Sequence, residues 1–248
     1  MKTLNITEHK THLTNLLIDI YKESLTAAVL GFKGGTAAML FYGLPRFSVD
    51  LDFDLIPHYE ADSPQLKLLT EKMTKLLSAK YKIKDQSSKY HTLFWLISYG
   101  AGLTKIKIEI STRNNSHNHY NPTPLYGVTV KTLDIGDMIA HKLIAVMDRK
   151  SLANRDLFDI HYFLSSPYVA EINFDIIKHQ TGRESKEFYQ NLLDFISRIK
   201  PGSVLAGLGE LLTPAQKVWA KTKLIPELTG LIQRQIDFTG PIPSLSIQ

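Results

Sequence analysis

The sequence predicts an α+β protein, with a sheet-forming half over residues 1–125 and a mostly helical half over 126–248. Two patterns carry that expectation. Val49, Leu51, Phe53 and Leu55 alternate with Ser48, Asp50, Asp52 and Asp54, and Ile106, Ile108 and Ile110 alternate with Lys105, Lys107 and Glu109. Period-two alternation of this kind describes strands with one apolar and one polar face. From Thr132 onward, apolar residues return at helical spacing instead, and the change of period marks the boundary near residue 125.

Each element follows from local chemistry. Leu13, Leu16, Leu17 and Ile20 make Thr7–Tyr21 an amphipathic helix, and the apolar run Ala27–Phe32 reads as a buried strand ending at Gly31 and Lys33. Gly34-Gly35-Thr36 then opens a short helix over Ala37–Tyr42, and Pro45-Arg46 turns the chain into the acidic strand. Ser63-Pro64 starts a helix to about Ala79, with Leu66, Leu69, Met73, Leu76 and Leu77 on its core side. Strands are expected at Tyr81–Lys84, Thr92–Tyr99 and Lys105–Ile110, and an exposed loop over Asn114–Pro124, whose His117 and His119 have no further partner in sequence to make a metal site. Helices are expected over Ile135–Met147, Arg155–Leu164, Phe174–His179, Ser185–Ile199 and Pro214–Leu224, with breaks at Gly182, Pro201-Gly202 and Pro226.

The stretch Gly34–Leu55, GGTAAMLFYGLPRFSVDLDFDL, holds the chemistry. Three carboxylates on one strand face repel one another and resist burial, and a divalent cation turns that repulsion into ligation. An acidic strand facing water is ordinary by itself. The glycine pair beside it shifts the reading, because glycines allow close backbone approach to a phosphate and a helix starting there presents free amide donors.

Composition narrows the classes. A 44% hydrophobic and 21% charged chain of 248 residues has ample material for a core. No apolar run is long enough to span a membrane, and the N-terminus lacks a signal peptide's apolar core, so a cytoplasmic location with no membrane partner is expected. With no cysteine there is neither a disulfide framework nor a thiolate metal site. The net charge of +5 leans to the first half, which carries 15 Lys/Arg against 11 Asp/Glu. Lys72, Lys75, Lys80, Lys82, Lys84 and Lys89 crowd together there, either as a solvated face or as a guide for a polyanion such as RNA.

A Gly-Gly turn, a short helix, an Asp-x-Asp strand and a later strand bearing Glu109 resemble, in that order, the nucleotidyltransferase fold of the DNA polymerase β superfamily. Within it, GGTAAMLFYGLPRFSVDLDFDL, KIKIEI, GDMIAHKLIAVMDR and NRDLFDI are similar to successive motifs of the AbiEii-type nucleotidyltransferase toxins, a group that includes the mycobacterial MenT enzymes. The likeness covers roughly residues 30–165. It implies a nucleotidyltransferase mixed sheet followed by a helical half that closes the nucleotide cleft. It also implies a site: Lys33, Gly34, Gly35, Thr36 and Ser48 around the triphosphate, and Asp50 and Asp52 on two magnesium ions, with Glu109 as the third acid. Lys142 matches the helical lysine on the nucleotide phosphates, seven residues before Arg149 along one helix edge, and Asp156 the acid of an Arg-Asp pair.

The function so implied is transfer of a nucleoside monophosphate from NTP to an RNA acceptor, tRNA in characterised members, by a toxin whose antitoxin, often a winged-helix protein, is encoded alongside. Nucleotidylation of a protein hydroxyl uses the same metal core and is the alternative enzyme. A binding module that retains the fold without catalysis is the alternative of another class. Without the upstream motifs, Lys142 and Arg149 would read as a solvated helix edge, and Asp156 and Asp159 as a surface pair.

Overall fold

The computed structural model describes residues 4–89, 91–148 and 153–238, which divide after Asp134 into two compact units. The first is built from α1 (Ile6–Lys22), α2 (Ser24–Val29), β1 (Leu30–Lys33), α3 (Gly34–Phe41), β2 (Leu51–Leu55), α4 (Pro64–Ser78), β3 (Lys82–Lys89), β4 (Thr92–Ser98), β5 (Ile106–Ser111), β6 (Tyr120–Leu125) and β7 (Val128–Leu133). Its strands form one mixed sheet in the order β3-β4-β5-β2-β1-β7-β6, with β2·β5 and β1·β7 parallel and the other pairs antiparallel.

The alternation read from the sequence decides which face of this sheet is dry. Leu51, Phe53, Leu93, Trp95, Ile106, Ile108 and Ile110 are buried together, while Asp52, Lys107 and Glu109 stand on the opposite face. Polar contacts tie the helices to the sheet. The Trp95 indole N–H donates to Thr74 of α4 at 3.1 Å. The Tyr21 hydroxyl of α1 reaches the carbonyls of Leu30 and Lys131 at 2.9 and 3.2 Å, and burial raises its pKa. Asn5 caps α1 and Ser63 caps α4, each accepting from an amide three residues on.

Three segments differ from their expected form. The run Ala27–Phe32 is helical to Val29 and a strand only from Leu30, because Glu23 caps α2 through the Thr26 amide at 2.8 Å. A short apolar run does not distinguish the two by itself. The second difference is in the acidic segment, which pairs as a strand only from Leu51, with Ser48–Asp50 leading into it unpaired. The third is the expected loop 114–124, whose end forms β6. As an outer strand it bonds only to β7 and so tolerates Pro122 and Pro124. Tyr126 and Gly127, at φ 43° and 87°, make the tight turn into β7. Because β7 completes the sheet, the first unit runs on to Asp134 instead of ending at 125, which lies inside this hairpin.

The second unit consists of α5 (Ile135–Asp148), α6 (Asn154–Leu164), α7 (Phe174–Thr181), α8 (Ser185–Ser197), α9 (Pro214–Thr222) and α10 (Leu224–Phe238), with short 3₁₀ turns between them. The sequence reading missed α10 by taking Pro226 as a break. Pro226 instead occupies the first turn, where a helix needs no N–H, and Leu224, Leu228, Ile232 and Ile236 form the buried stripe behind it. The Asn154 amide nitrogen fastens the start of α6 by donating to the carbonyls of Ser203 and Ala206 at 2.8 and 2.9 Å.

Candidate active site

Strand β1 delivers the chain to Gly34 at φ +82°, a conformation open to glycine and costly for other residues. A Cβ at Gly34 would lie 2.3 Å from Asp52 Oδ2. One at Gly35 would lie 2.8 Å from Ser48 Oγ and 2.9 Å from Arg46 Nη2. The glycine pair therefore lets the helix start approach three polar side chains more closely than any Cβ would allow. The N-cap residue Lys33 makes no side-chain bond to α3, whose first amides point where an anion could accept from them. Thr36 is fully buried, and its hydroxyl donates to the Asp50 carbonyl, pinning the glycine turn to the acidic segment.

The acids on this face are held differently. Asp52 sits in register between Lys33 of β1 and Glu109 of β5. Asp50 Oδ2 is 3.2 Å from Lys107 Nζ. Asp54 is completely buried and accepts from Lys33 Nζ at 2.6 Å, Asn115 Nδ2 at 2.8 Å, Asn118 Nδ2 at 3.1 Å and the Tyr120 hydroxyl at 2.8 Å. The Tyr120 ring reaches Asp54 across Gly31, where a Cβ would meet that ring at 2.1 Å. The repulsion expected among three aspartates is thus relieved at Asp54 by protein donors.

His9 supports the segment from behind. Fully buried on α1, it donates from Nε2 to the Val49 carbonyl at 3.0 Å, and its Nδ1 lies 2.8 Å from the Tyr99 hydroxyl. A neutral ring that donates from Nε2 and accepts at Nδ1 satisfies both contacts. Burial holds the pKa of His9 below the ordinary histidine value, against the opposing pull of the Val49 carbonyl and the Asp50 charge.

The expected residues are not all used as expected. Gly34, Gly35, Ser48 and Asp52 do converge. Lys33, expected on phosphate, is committed to Asp54, and the Thr36 hydroxyl is committed to the Asp50 backbone. Glu109 lies beside Asp52, yet among the described residues no three His, Asp or Glu side chains form a preformed metal cage. Asp50 and Asp52 still suit magnesium, which takes one or two carboxylates and completes its shell with water and substrate phosphate.

In the second unit, Lys142 forms a buried ion pair with Asp159, Nζ to Oδ2 at 2.5 Å. Asp156 and Asp159 are 4% and 0% exposed, which replaces the surface-pair reading of these two acids. Arg149 lies outside the described residues. Sequence reasoning missed Asp159 as the partner of Lys142 and Arg46 as the cation beside Gly35. A buried face was legible for Asp159, which follows Asp156 by three residues on α6; nothing local pointed Arg46 back toward the glycines.

A model of the family described as Nucleotidyl transferase AbiEii toxin, Type IV TA system, matches residues 16–216. Two solved Helicobacter pylori structures share the fold. One, crystallised as a candidate nucleotidyltransferase, is 22% identical at a TM-score of 0.60 over 94% of this chain and 95% of its own. The other, JHP933, is 22% identical at a TM-score of 0.58 over 93% of each. No curated protein matches. No helix among the described residues is long and apolar enough to cross a membrane.

Proposed function

The chain belongs to the AbiEii family of nucleotidyltransferase toxins of type IV toxin–antitoxin systems, and from that premise we propose that it transfers a nucleoside monophosphate from NTP to the 3′ end of an RNA, tRNA being the acceptor. The observation that carries the proposal is the glycine turn, where any side chain at Gly34 or Gly35 would strike Asp52, Ser48 or Arg46. A phosphate set against this turn would be met by the amides at the start of α3, the Ser48 hydroxyl and the Arg46 guanidinium.

Asp50 and Asp52 would hold magnesium, with Glu109 beside Asp52 as the further acid. The metal, when bound, offsets phosphate charge and makes the acceptor hydroxyl a better nucleophile. Lys107 keeps Asp50 aligned, and His9 and Thr36 fix the backbone carbonyls on either side of the Asp50 Cα. Lys33 acts through Asp54, as part of the frame next to the phosphates. Lys142, oriented by Asp159, takes the nucleotide phosphates, and Asp156 is the second acid of that helix pair. In the reaction the acceptor oxygen bonds to the α-phosphorus, the bond to pyrophosphate breaks, and the hydroxyl proton is lost to solvent or a carboxylate. The family's type IV assignment implies an antitoxin; a winged-helix protein encoded nearby, and action in the cytoplasm, complete the proposal.

The test is incubation with each α-labelled NTP, magnesium, and separate pools of total RNA and protein. Label in RNA that disappears with chelator and with Asp52→Asn is the expected result. Label confined to protein would make a protein hydroxyl the acceptor. Label in neither pool would leave a non-catalytic binding module.

A further inference from the structure

The lysine-rich stretch of the first unit is not one surface. Lys80 is bound to Asp19 at 2.6 Å, Lys72 lies 4.0 Å from Glu23, and Lys75 borders a different depression with Thr70, Glu71 and Gln86. What the fold does assemble is a cleft of about 610 Å³ lined by Lys80, Lys82, Lys84 and Lys105 together with Tyr99 and the 100–103 turn. Among the described residues, no carboxylate lines it. We propose that this cleft is where the protein grips the phosphate backbone of its RNA acceptor, an inference that rests on the RNA-transfer reading above.

Three observations support this. First, the cations come from three places in the chain. Lys80 precedes β3, Lys82 and Lys84 lie on it, and Lys105 precedes β5 two strands away. Lysines along an outer strand commonly guard against edge-to-edge pairing, but that role does not recruit Lys105. Second, the register between β3 and β4 slips between Ile83 and Asp85, which makes Lys84 the extra residue of a bulge. With no residue opposite it, Lys84 stays on the face it shares with Lys82, two residues earlier, and both line the cleft.

Third, the cleft lies at the catalytic end of the sheet. Lys82 pairs with Ser98, Ile97 with Ile106, and Leu51 with Ile108, which puts Lys82, Lys105 and Asp50 at one end of their strands. Tyr99 of the cleft lining is linked through His9 to the Val49 carbonyl, between Ser48 and Asp50. An RNA strand held in the cleft therefore lies next to the segment on which its 3′ end would react. Lysines gathered in a cleft without an acidic lining suit a polyanion read by charge, with no base-specific contacts.

The experiment is equilibrium binding of unacylated total tRNA across a salt series, by anisotropy. It uses the full-length protein, the triple variant Lys82→Gln/Lys84→Gln/Lys105→Gln, and a charge-matched control, Lys186→Gln/Lys221→Gln/Lys223→Gln, with NTP binding measured alongside. The cleft variant should bind tRNA roughly tenfold more weakly for each phosphate it no longer neutralises at about 0.1 M salt, with a log–log slope shallower by about 2 units. Its NTP affinity should match the parent's, and the control should bind tRNA like the parent. Equal slopes for parent and cleft variant, or an equal weakening in the control, would overturn the proposal. So would a parent that binds no RNA. If the cleft variant alone fails to hold tRNA but the parent transfers no nucleotide to RNA, the cleft stands and the transfer reading fails.

Discussion

Lys142 and Asp159 lie 17 residues apart in the chain and meet as a buried ion pair, with side chains 10% and 0% exposed. The pairing fixes where the Lys142 ammonium sits before any ligand arrives. Removing one partner of such a pair leaves an uncompensated charge, whereas replacing both with apolar groups of similar volume does not. Asp159→Ala should therefore cost about 3–5 kcal/mol in denaturant unfolding. The double variant Lys142→Met/Asp159→Leu should recover most of that stability while binding NTP no better than Lys142→Met. An Asp159→Ala midpoint equal to the parent's would show that the pair carries no such weight.

The two glycines should respond differently to alanine. At Gly34 the positive φ and the 2.3 Å approach to Asp52 act together, so Gly34→Ala should lose about 1–2 kcal/mol or more of stability and nearly all transfer activity. At Gly35 the obstacles are the ends of the Ser48 and Arg46 side chains, which can swing aside. Gly35→Ala should then melt close to the parent while its KM for NTP rises, because the methyl displaces the Ser48 and Arg46 groups assigned to phosphate. Parallel kinetics and melting curves separate the two, and an unchanged KM in Gly35→Ala would remove the phosphate from Ser48 and Arg46.

Asp54 holds Lys33, Asn115, Asn118 and Tyr120 around one buried carboxylate. Asp54→Asn keeps the shape but turns two acceptor oxygens into one. A destabilisation of about 1–3 kcal/mol is expected, discounted from the fully buried case because the Lys33 side chain is 29% exposed. Transfer should weaken through KM and persist in kcat, in contrast to Asp52→Asn, in which kcat collapses. A kcat reduced to the same degree in both variants would make Asp54 a ligand after all.

The buried His9 gives the fold a pH dependence of definite sign. Its pKa is lowered in the folded state, chiefly by burial, so the unfolded chain takes up the proton more readily. Its contribution to stability is complete above the ordinary histidine value of 6.5 and is lost as pH falls through the lower folded value. His161 on α6, also lowered chiefly by burial despite its bond to Glu227, adds in the same direction. Thermal midpoints should drop between pH 7 and 5, and less steeply in His9→Gln. Because the ring bonds the Val49 carbonyl, transfer activity in the parent should fall over the same range. A His9→Gln protein with the parent's pH slope would remove His9 as the cause.

How far the site was legible depends on whether its parts are local. The glycine turn, the Asp50–Asp52 spacing and the alternation of β5 are patterns of neighbouring residues, and the structure places Asp52 beside Glu109 and against Gly34 accordingly. The division of labour among the aspartates was not legible. Asp50, Asp52 and Asp54 are chemically identical in an alternating run, but only Asp54 sits where Tyr120, two strands beyond β1, can close over it.

The same distinction separates the secondary structure. Most helices follow from apolar spacing and caps that act within one or two turns, whereas β6 depended on finding β7, and α10 on whether Pro226 fell in a first turn or in a helix interior. What the sequence by itself determined was the class of fold, the polar face of the sheet and the chemistry gathered on it, because side-chain period and glycine geometry are short-range properties. Which lysine meets which acid was decided only by the tertiary structure: Lys33 with Asp54, Lys107 with Asp50, Lys142 with Asp159, and Lys82, Lys84 and Lys105 around one cleft. Those pairings depend on strand order and burial, which bring together charges that are far apart in the chain and set how strongly each is felt.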